Sequence, residues 1–141
     1  MPEGFIERYR KEQGYDEGYT EAKFLADVLA NSYSQGFSDD WMLDIGYDSK
    51  LAIPFPIEFD RPCFEERIAA NVMAGKCRFL ILNEDGDEQV LTPGYDSWLA
   101  LLHSKKLEVK ELLHTFLEGQ DDAFTADALL QHWLLGDCIF G

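Results

Sequence analysis

One short segment, residues 76–92, is the part of the chain whose pattern predicts paired strands, and it limits the fold more than any other feature. The run Cys77–Leu82 is apolar and rich in residues that favour strands, and Asn83–Gly86 has the composition of a turn. Glu88–Thr92 then supplies a returning strand, which Pro93 and Gly94 close. We therefore predict one β-hairpin in a chain whose other periodic segments are helical.

Five segments carry apolar residues at steps of three and four positions, as helices do. They span residues 2–13, 20–33, 60–75, 96–118 and 125–136. Candidate N-caps stand at their starts: Thr20, Asp60, Asp96 or Ser97, and Thr125. Residues 96–118 keep the helical period throughout, so they form either one long helix or two helices joined near residues 104–106. The predicted fold is α+β and helix-rich, with about five helices and one β-hairpin.

Residues 37–60 have no clear period. Pro54 and Pro56 alternate with apolar residues in the segment 51–57, which suits an extended edge segment and excludes a helix or a central strand. The first half of this stretch interleaves acids with Trp41 and Tyr47, and we expect it to be a loop.

The charge of the chain is strongly negative. Its 141 residues fit a single domain over 1–141, and 46% of them are hydrophobic, enough to build a core. There are 27 Asp and Glu against 12 Lys and Arg, which gives a net charge of −15. Such a surface repels nucleic acids and anionic membranes, because both require a basic footprint. We expect a basic protein partner, with no direct binding to nucleic acid or membrane.

The acids are segregated along the chain. The stretches 24–49, 79–104 and 111–141 contain sixteen acids and no Lys or Arg. Surfaces built only for solubility mix both signs of charge, so these stretches predict a functional acidic face. The predicted partner-binding residues are Asp39, Asp40, Trp41, Asp44, Tyr47, Asp48, Glu84, Asp85, Asp87, Glu88, Asp121 and Asp122. For Trp41 the competing interpretation is a core position.

Motifs for catalysis or cofactors do not stand out. The three histidines follow no ligand spacing, and Cys63, Cys77 and Cys138 follow no CxxC pattern, which indicates reduced thiols that are buried and inert. Residues 83–88 are rich in oxygen ligands but lack the spacing of an EF-hand loop, so we interpret them as the hairpin turn. We expect no metal, no cofactor and no enzymatic activity. A hydrolase that uses a carboxylate or Cys63 is the enzymatic alternative.

The N-terminus lacks the pattern of a signal peptide, and no apolar stretch reaches the length of a membrane span, so we expect a cytoplasmic protein. In size, charge, lack of a signal peptide and the aromatic-acidic segment 39–48, the chain resembles the small acidic immunity proteins with which bacteria neutralise toxins, including those of contact-dependent inhibition systems. The resemblance implies an inhibitor of a basic toxin, most often a nuclease. The alternatives are a DNA-mimic inhibitor of a nucleic-acid enzyme and an accessory domain whose acidity is incidental.

Overall fold

The computed structural model describes residues 4–57, 60–119 and 123–140. Within them the fold is α+β and helix-rich, with six α-helices, a 3-10 turn at Tyr33–Gln35 and one three-stranded antiparallel sheet. The helices are α1 (Phe5–Gln13), α2 (Glu21–Asn31), α3 (Phe64–Met73), α4 (Tyr95–Leu102), α5 (Leu107–Leu117) and α6 (Ala123–Leu134). The strands are β1 (Met42–Gly46), β2 (Arg78–Leu82) and β3 (Glu88–Leu91). None of the helices among the described residues is both long and apolar enough to cross a bilayer.

The sheet contains the predicted hairpin and one further strand. β2 and β3 pair antiparallel as expected, but β1 also pairs antiparallel with the other edge of β2, so the prediction of a lone hairpin was incomplete. The register shifts between Met42 and Asp44, and this bulge leaves Leu43 and Asp44 as successive exposed residues. A bulge interrupts the two-residue alternation that identifies a strand, which is why the sequence pattern did not reveal β1.

The helix count is six because residues 96–118 do not form one helix. α4 and α5 are separated by residues 103–106, where the backbone N–H of Lys106 donates to Ser104 Oγ at 3.1 Å. α4 also begins earlier than predicted, at Tyr95 after an N-cap at Gly94, which stands two residues before Asp96. Neither Asp96 nor Ser97 is therefore the cap.

Two further predictions of N-caps, at Asp60 and at Thr125, were wrong. α3 begins at Phe64 rather than at Asp60, because the Glu66 carboxylate accepts the backbone N–H of Cys63 at 2.9 Å and fixes Cys63 as the N-cap. Thr125 lies inside α6, which already includes Ala123. The predicted cap at Thr20 is confirmed, since its hydroxyl accepts the backbone N–H of Lys23 at 3.3 Å.

The proline-containing segment 51–57 is irregular and is not paired into the sheet. It nevertheless contributes to the core, because Phe55 is buried and its apolar neighbours are partly buried. The predicted edge segment is thus an extended loop, held by side-chain burial rather than by strand hydrogen bonds.

The core lies between one face of the sheet and the surrounding helices. Met42, Ile45, Phe79 and Ile81 are buried on that face, and α2 packs against both α3 and α6. The largest fully buried side chains include Trp41, Trp98, Phe24, Phe79 and Phe116. Because β1 is an edge strand, the acidic stretch that contains it runs along the border of this core.

Candidate functional site

Trp41 is a core residue, which removes it from the predicted contact face. Its side chain is 1% exposed, and its indole Nε1 donates to the carboxylate Oδ1 of Asp127 at 2.8 Å. The ring is large and apolar, and a buried acceptor is available for its single donor, so burial is its most stable arrangement. The predicted aromatic contact must therefore be made by other residues.

Tyr33 is influenced by two of the predicted acids. The pKa of its hydroxyl is raised above the ordinary value of 10.0, first by burial and then by the carboxylates of Asp44 and Asp39. The fold therefore brings the charges of Asp39 and Asp44 within electrostatic reach of one phenol, although they lie on opposite sides of the β1 bulge. The Tyr33 ring stacks on Phe64, with ring centres 6.0 Å apart, and Phe64 is 38% exposed.

The predicted residue Tyr47 belongs to the same aromatic cluster. It is half-buried and meets Phe64 edge to face, with ring centres 5.4 Å apart. We call Tyr33, Asp39, Asp40, Asp44, Tyr47 and Phe64 the β1 surface. Sequence reasoning missed Phe64 because it continues the apolar stripe of α3. Phe64 is the first residue of that helix, beyond the edge of the core, and this position was the signal that could have predicted its exposure.

Asp48 lies just after the other end of β1, and both its side chain and its backbone form hydrogen bonds there. Its Oδ1 accepts the backbone N–H of Lys50 at 2.9 Å, and its own N–H donates to Asn71 Oδ1 at 2.8 Å. Asn71 Nδ2 donates in return to the Asp48 carbonyl at 3.1 Å. These bonds give Asp48 a role in the turn after β1, and we leave it outside the β1 surface.

The acidic hairpin turn comprises Glu84, Asp85, Asp87 and Glu88. Backbone N–H groups of the turn find an acceptor within the turn itself, because Asn83 Oδ1 accepts the N–H groups of Asp85 and Asp87 at 3.0 and 2.9 Å. Gly86 supplies the left-handed backbone that the turn requires, with φ of 82°. All four acidic side chains are exposed, and in the described part of the chain none of them forms an ion pair.

The acidic hairpin turn lies at the same end of the sheet as Asp39 and Asp40. The Leu82 N–H, just before the turn, donates to the Trp41 carbonyl at 2.8 Å, and Asp40 directly precedes Trp41. The sheet thus brings together two acidic segments that are far apart in sequence. The remaining predicted acids, Asp121 and Asp122, lie outside the described residues.

A second exposed aromatic pair was not predicted. Phe37 and Phe124 meet edge to face with ring centres 6.2 Å apart, and they are 45% and 61% exposed. Phe37 stands two residues before Asp39, so this pair adds apolar area next to the acids. The predicted cap at Thr125 would leave Phe124 before the last helix, whereas Phe124 lies within α6.

The cysteines are free, and Cys77 is buried as predicted. Cys63 and Cys138 are exposed, contrary to the prediction, because Cys63 stands at the N-cap of α3 and Cys138 in the tail after α6. Desolvation is the main cause that raises the pKa of both Cys63 and Cys77 to about 12, so these thiols stay protonated at neutral pH. The potential metal ligands that come together in the described residues are Glu108, His132 and Asp137. They follow no ligand spacing in the sequence, and none of them belongs to the β1 surface.

Comparisons with protein-family models, with curated proteins and with solved structures found no match.

Proposed function

We propose that the protein binds a basic protein partner through the β1 surface and is an inhibitor rather than an enzyme. We propose further that the inhibitor is a cytoplasmic immunity protein that neutralises a basic toxin, of the nuclease class. The observation that carries the proposal is the exposed ring of Phe64, which stacks on the half-buried Tyr33 within electrostatic reach of Asp39 and Asp44.

This arrangement suits arginine and lysine side chains. A guanidinium group binds a carboxylate through two parallel hydrogen bonds and also stacks on aromatic faces. The β1 surface offers both kinds of group, with carboxylates from Asp39 and Asp44 and an exposed ring from Phe64, and Tyr33 is influenced by the first and stacks on the second. Aromatic contacts of this kind provide most of the binding energy of an interface, whereas charge complementarity sets its specificity.

The acidic hairpin turn adds a long-range contribution. Its carboxylates lie at the same end of the sheet as Asp39 and Asp40 and have no ion-pair partner in the part of the chain that the structure describes. A concentration of one sign of charge accelerates the diffusional encounter with an oppositely charged partner. We expect this turn to increase the association rate more than it slows dissociation.

Exposed apolar side chains favour a protein partner over a DNA-mimic role, which remains the alternative together with an accessory domain. Phe37, Phe124 and Val90 are 45%, 61% and 60% exposed. A mimic of DNA needs carboxylates spaced like phosphates and has no use for exposed rings. A protein interface uses such side chains at its centre, within a polar rim.

The test is protection against a basic nuclease domain encoded beside the chain's own gene. We expect co-expression to restore growth, and D39N/D40N/D44N to lose most of that protection. The matched control is E7Q/E12Q/E17Q, which removes the same number of charges from exposed positions in and near α1. With purified proteins, association should slow at least about tenfold from low to high ionic strength. Equal protection by both variants, or salt-independent association, would contradict the proposal.

A further inference from the structure

Three ligand groups converge where the start of α5 meets the end of α6. Glu108 is the second residue of α5, and His132 lies in the last turn of α6. Asp137 follows Gly136, two residues after the end of α6. One ligand atom from each lies within 4.8 Å of the other two. His132 Nε2 and Glu108 Oε2 lie 3.6 Å apart.

His132 is buried without a hydrogen bond. Its side chain is 2% exposed, and among the described residues Nδ1 has no hydrogen-bond partner. Its Nε2 faces the Glu108 carboxylate at 3.6 Å, which is longer than a hydrogen bond. Nε2, which faces the two carboxylates, is therefore the ring nitrogen positioned to bind a ligand.

The ammonium group of Lys106 lies next to these three ligand groups, so a positive charge is already bound at this position. Its Nζ lies 3.7 Å from Asp137 Oδ1 and 3.2 Å from the Gly136 carbonyl. The ammonium group of Lys106 is therefore the positive charge that pairs with Asp137, the residue that shares this cluster with His132. Its side chain is 42% exposed and can turn outward into water when another cation takes its place.

We propose that Glu108, His132 and Asp137 bind one divalent transition-metal ion of the zinc type. Zinc accepts imidazole nitrogen and carboxylate oxygen at about 2.1 Å, which places tetrahedral ligand atoms about 3.4 Å apart. The distance of 3.6 Å between His132 and Glu108 is already close to that value. The carboxylates of Glu108 and Asp137 are 63% and 64% exposed, so they can move the remaining distance freely.

The ligand set favours zinc and its neighbours over calcium or magnesium. Both of those ions prefer oxygen ligands alone, whereas imidazole suits zinc, copper and nickel. A cavity of about 420 Å³ borders Glu108 and His132 and also touches Cys138. Three protein ligands next to a cavity leave a coordination position for water.

Cobalt(II) alone is the probe, because its visible absorption reports coordination in a zinc site. We expect the full chain to bind one ion and to develop visible bands, and both E108Q and D137N to weaken binding at least about tenfold. These two residues are exposed, so the variants keep the fold even if replacing the buried His132 does not. K106M should strengthen binding several-fold by removing the competing ammonium group.

The matched control is H114A, which removes the exposed histidine that lies 3.0 Å from Glu118 in α5. We expect H114A to bind cobalt(II) within about twofold of the parent chain, because an exposed pair lacks a third ligand. Unchanged affinity in both E108Q and D137N, or loss of binding in H114A alone, would overturn the proposed site.

Discussion

Trp41 donates its indole N–H to Asp127 Oδ1 at 2.8 Å, and this bond joins the turn before β1 to the middle of α6. The same oxygen accepts the Ser38 hydroxyl at 2.7 Å, and Oδ2 accepts the Gln131 amide at 2.8 Å. Gln131 Oε1 in turn accepts the backbone N–H groups of residues 139 and 140. One buried carboxylate therefore connects the segment leading into the β1 surface with α6 and, through Gln131, with the C-terminal tail.

We expect D127A to lower the free energy of unfolding by about 2–4 kcal/mol, because it removes the acceptor of the buried Trp41 indole and one acceptor each of Ser38 and Gln131. D127N should cost less, since it keeps one acceptor oxygen. Urea unfolding followed by tryptophan fluorescence measures both. The control E111Q replaces an exposed acid of α5 and should stay within about 0.5 kcal/mol of the parent chain. A loss for D127A as small as that of E111Q would show that the network contributes little.

Local patterns were sufficient to predict the hairpin, the α+β class and the cap at Thr20. In each case the decisive interaction lies within a few residues, as in the hydrogen bond from the Lys23 N–H to Thr20 Oγ1. Asn83 likewise binds the N–H groups of its own turn. Such contacts are encoded by neighbouring residues, which is why sequence alone reveals them.

The third strand and most of the candidate surface depend on contacts between distant residues. β1 becomes a strand because β2 pairs with it, and Trp41 is buried because Asp127 offers an acceptor on α6. The proximity of Asp39 and Asp44 to Tyr33 also requires the bulge and the fold of the 3-10 turn. No pattern within residues 37–48 contains this information, so the acids were predicted and their aromatic neighbour Phe64 was not.

Neutralising the acids of the β1 surface should leave the fold intact and stabilise it slightly. In the described part of the chain, Asp39, Asp40 and Asp44 form no ion pair, and the chain is strongly negative overall. We expect D39N/D40N/D44N to raise the free energy of unfolding by about 0.5–1 kcal/mol at low ionic strength, and the gain to disappear at high salt. Thermal unfolding at two salt concentrations measures this. A destabilised variant would mean that these carboxylates have a structural role.

The titration of Tyr33 tests the geometry of the β1 surface directly. Burial, Asp44 and Asp39 all disfavour its phenolate, so D39N/D44N should lower the pKa of Tyr33 towards 10.0. The folded pKa exceeds the unfolded one, so the stabilisation is present below pH 10 and is lost as the pH rises through the folded pKa. Ultraviolet titration measures the phenolate, with Y33F to assign the signal. The control E84Q/D85N should leave this pKa unchanged, and an unchanged value in D39N/D44N would place both acids farther away.

The reactivity of Cys63 discriminates the proposed binding role from a thiol enzyme. Burial, followed by the nearby Glu66 carboxylate, raises the pKa of this thiol to about 12, against an ordinary value of 9.0. Near neutral pH the thiolate is then rarer than in a free cysteine, so alkylation by iodoacetamide should slow at least about tenfold even though the Cys63 side chain is exposed. Mass spectrometry of the labelled peptides follows each cysteine separately. Cys77, which is fully buried, should react only after unfolding in denaturant. Rapid labelling of Cys63 in the native chain would instead favour a catalytic thiol and count against a role in binding alone.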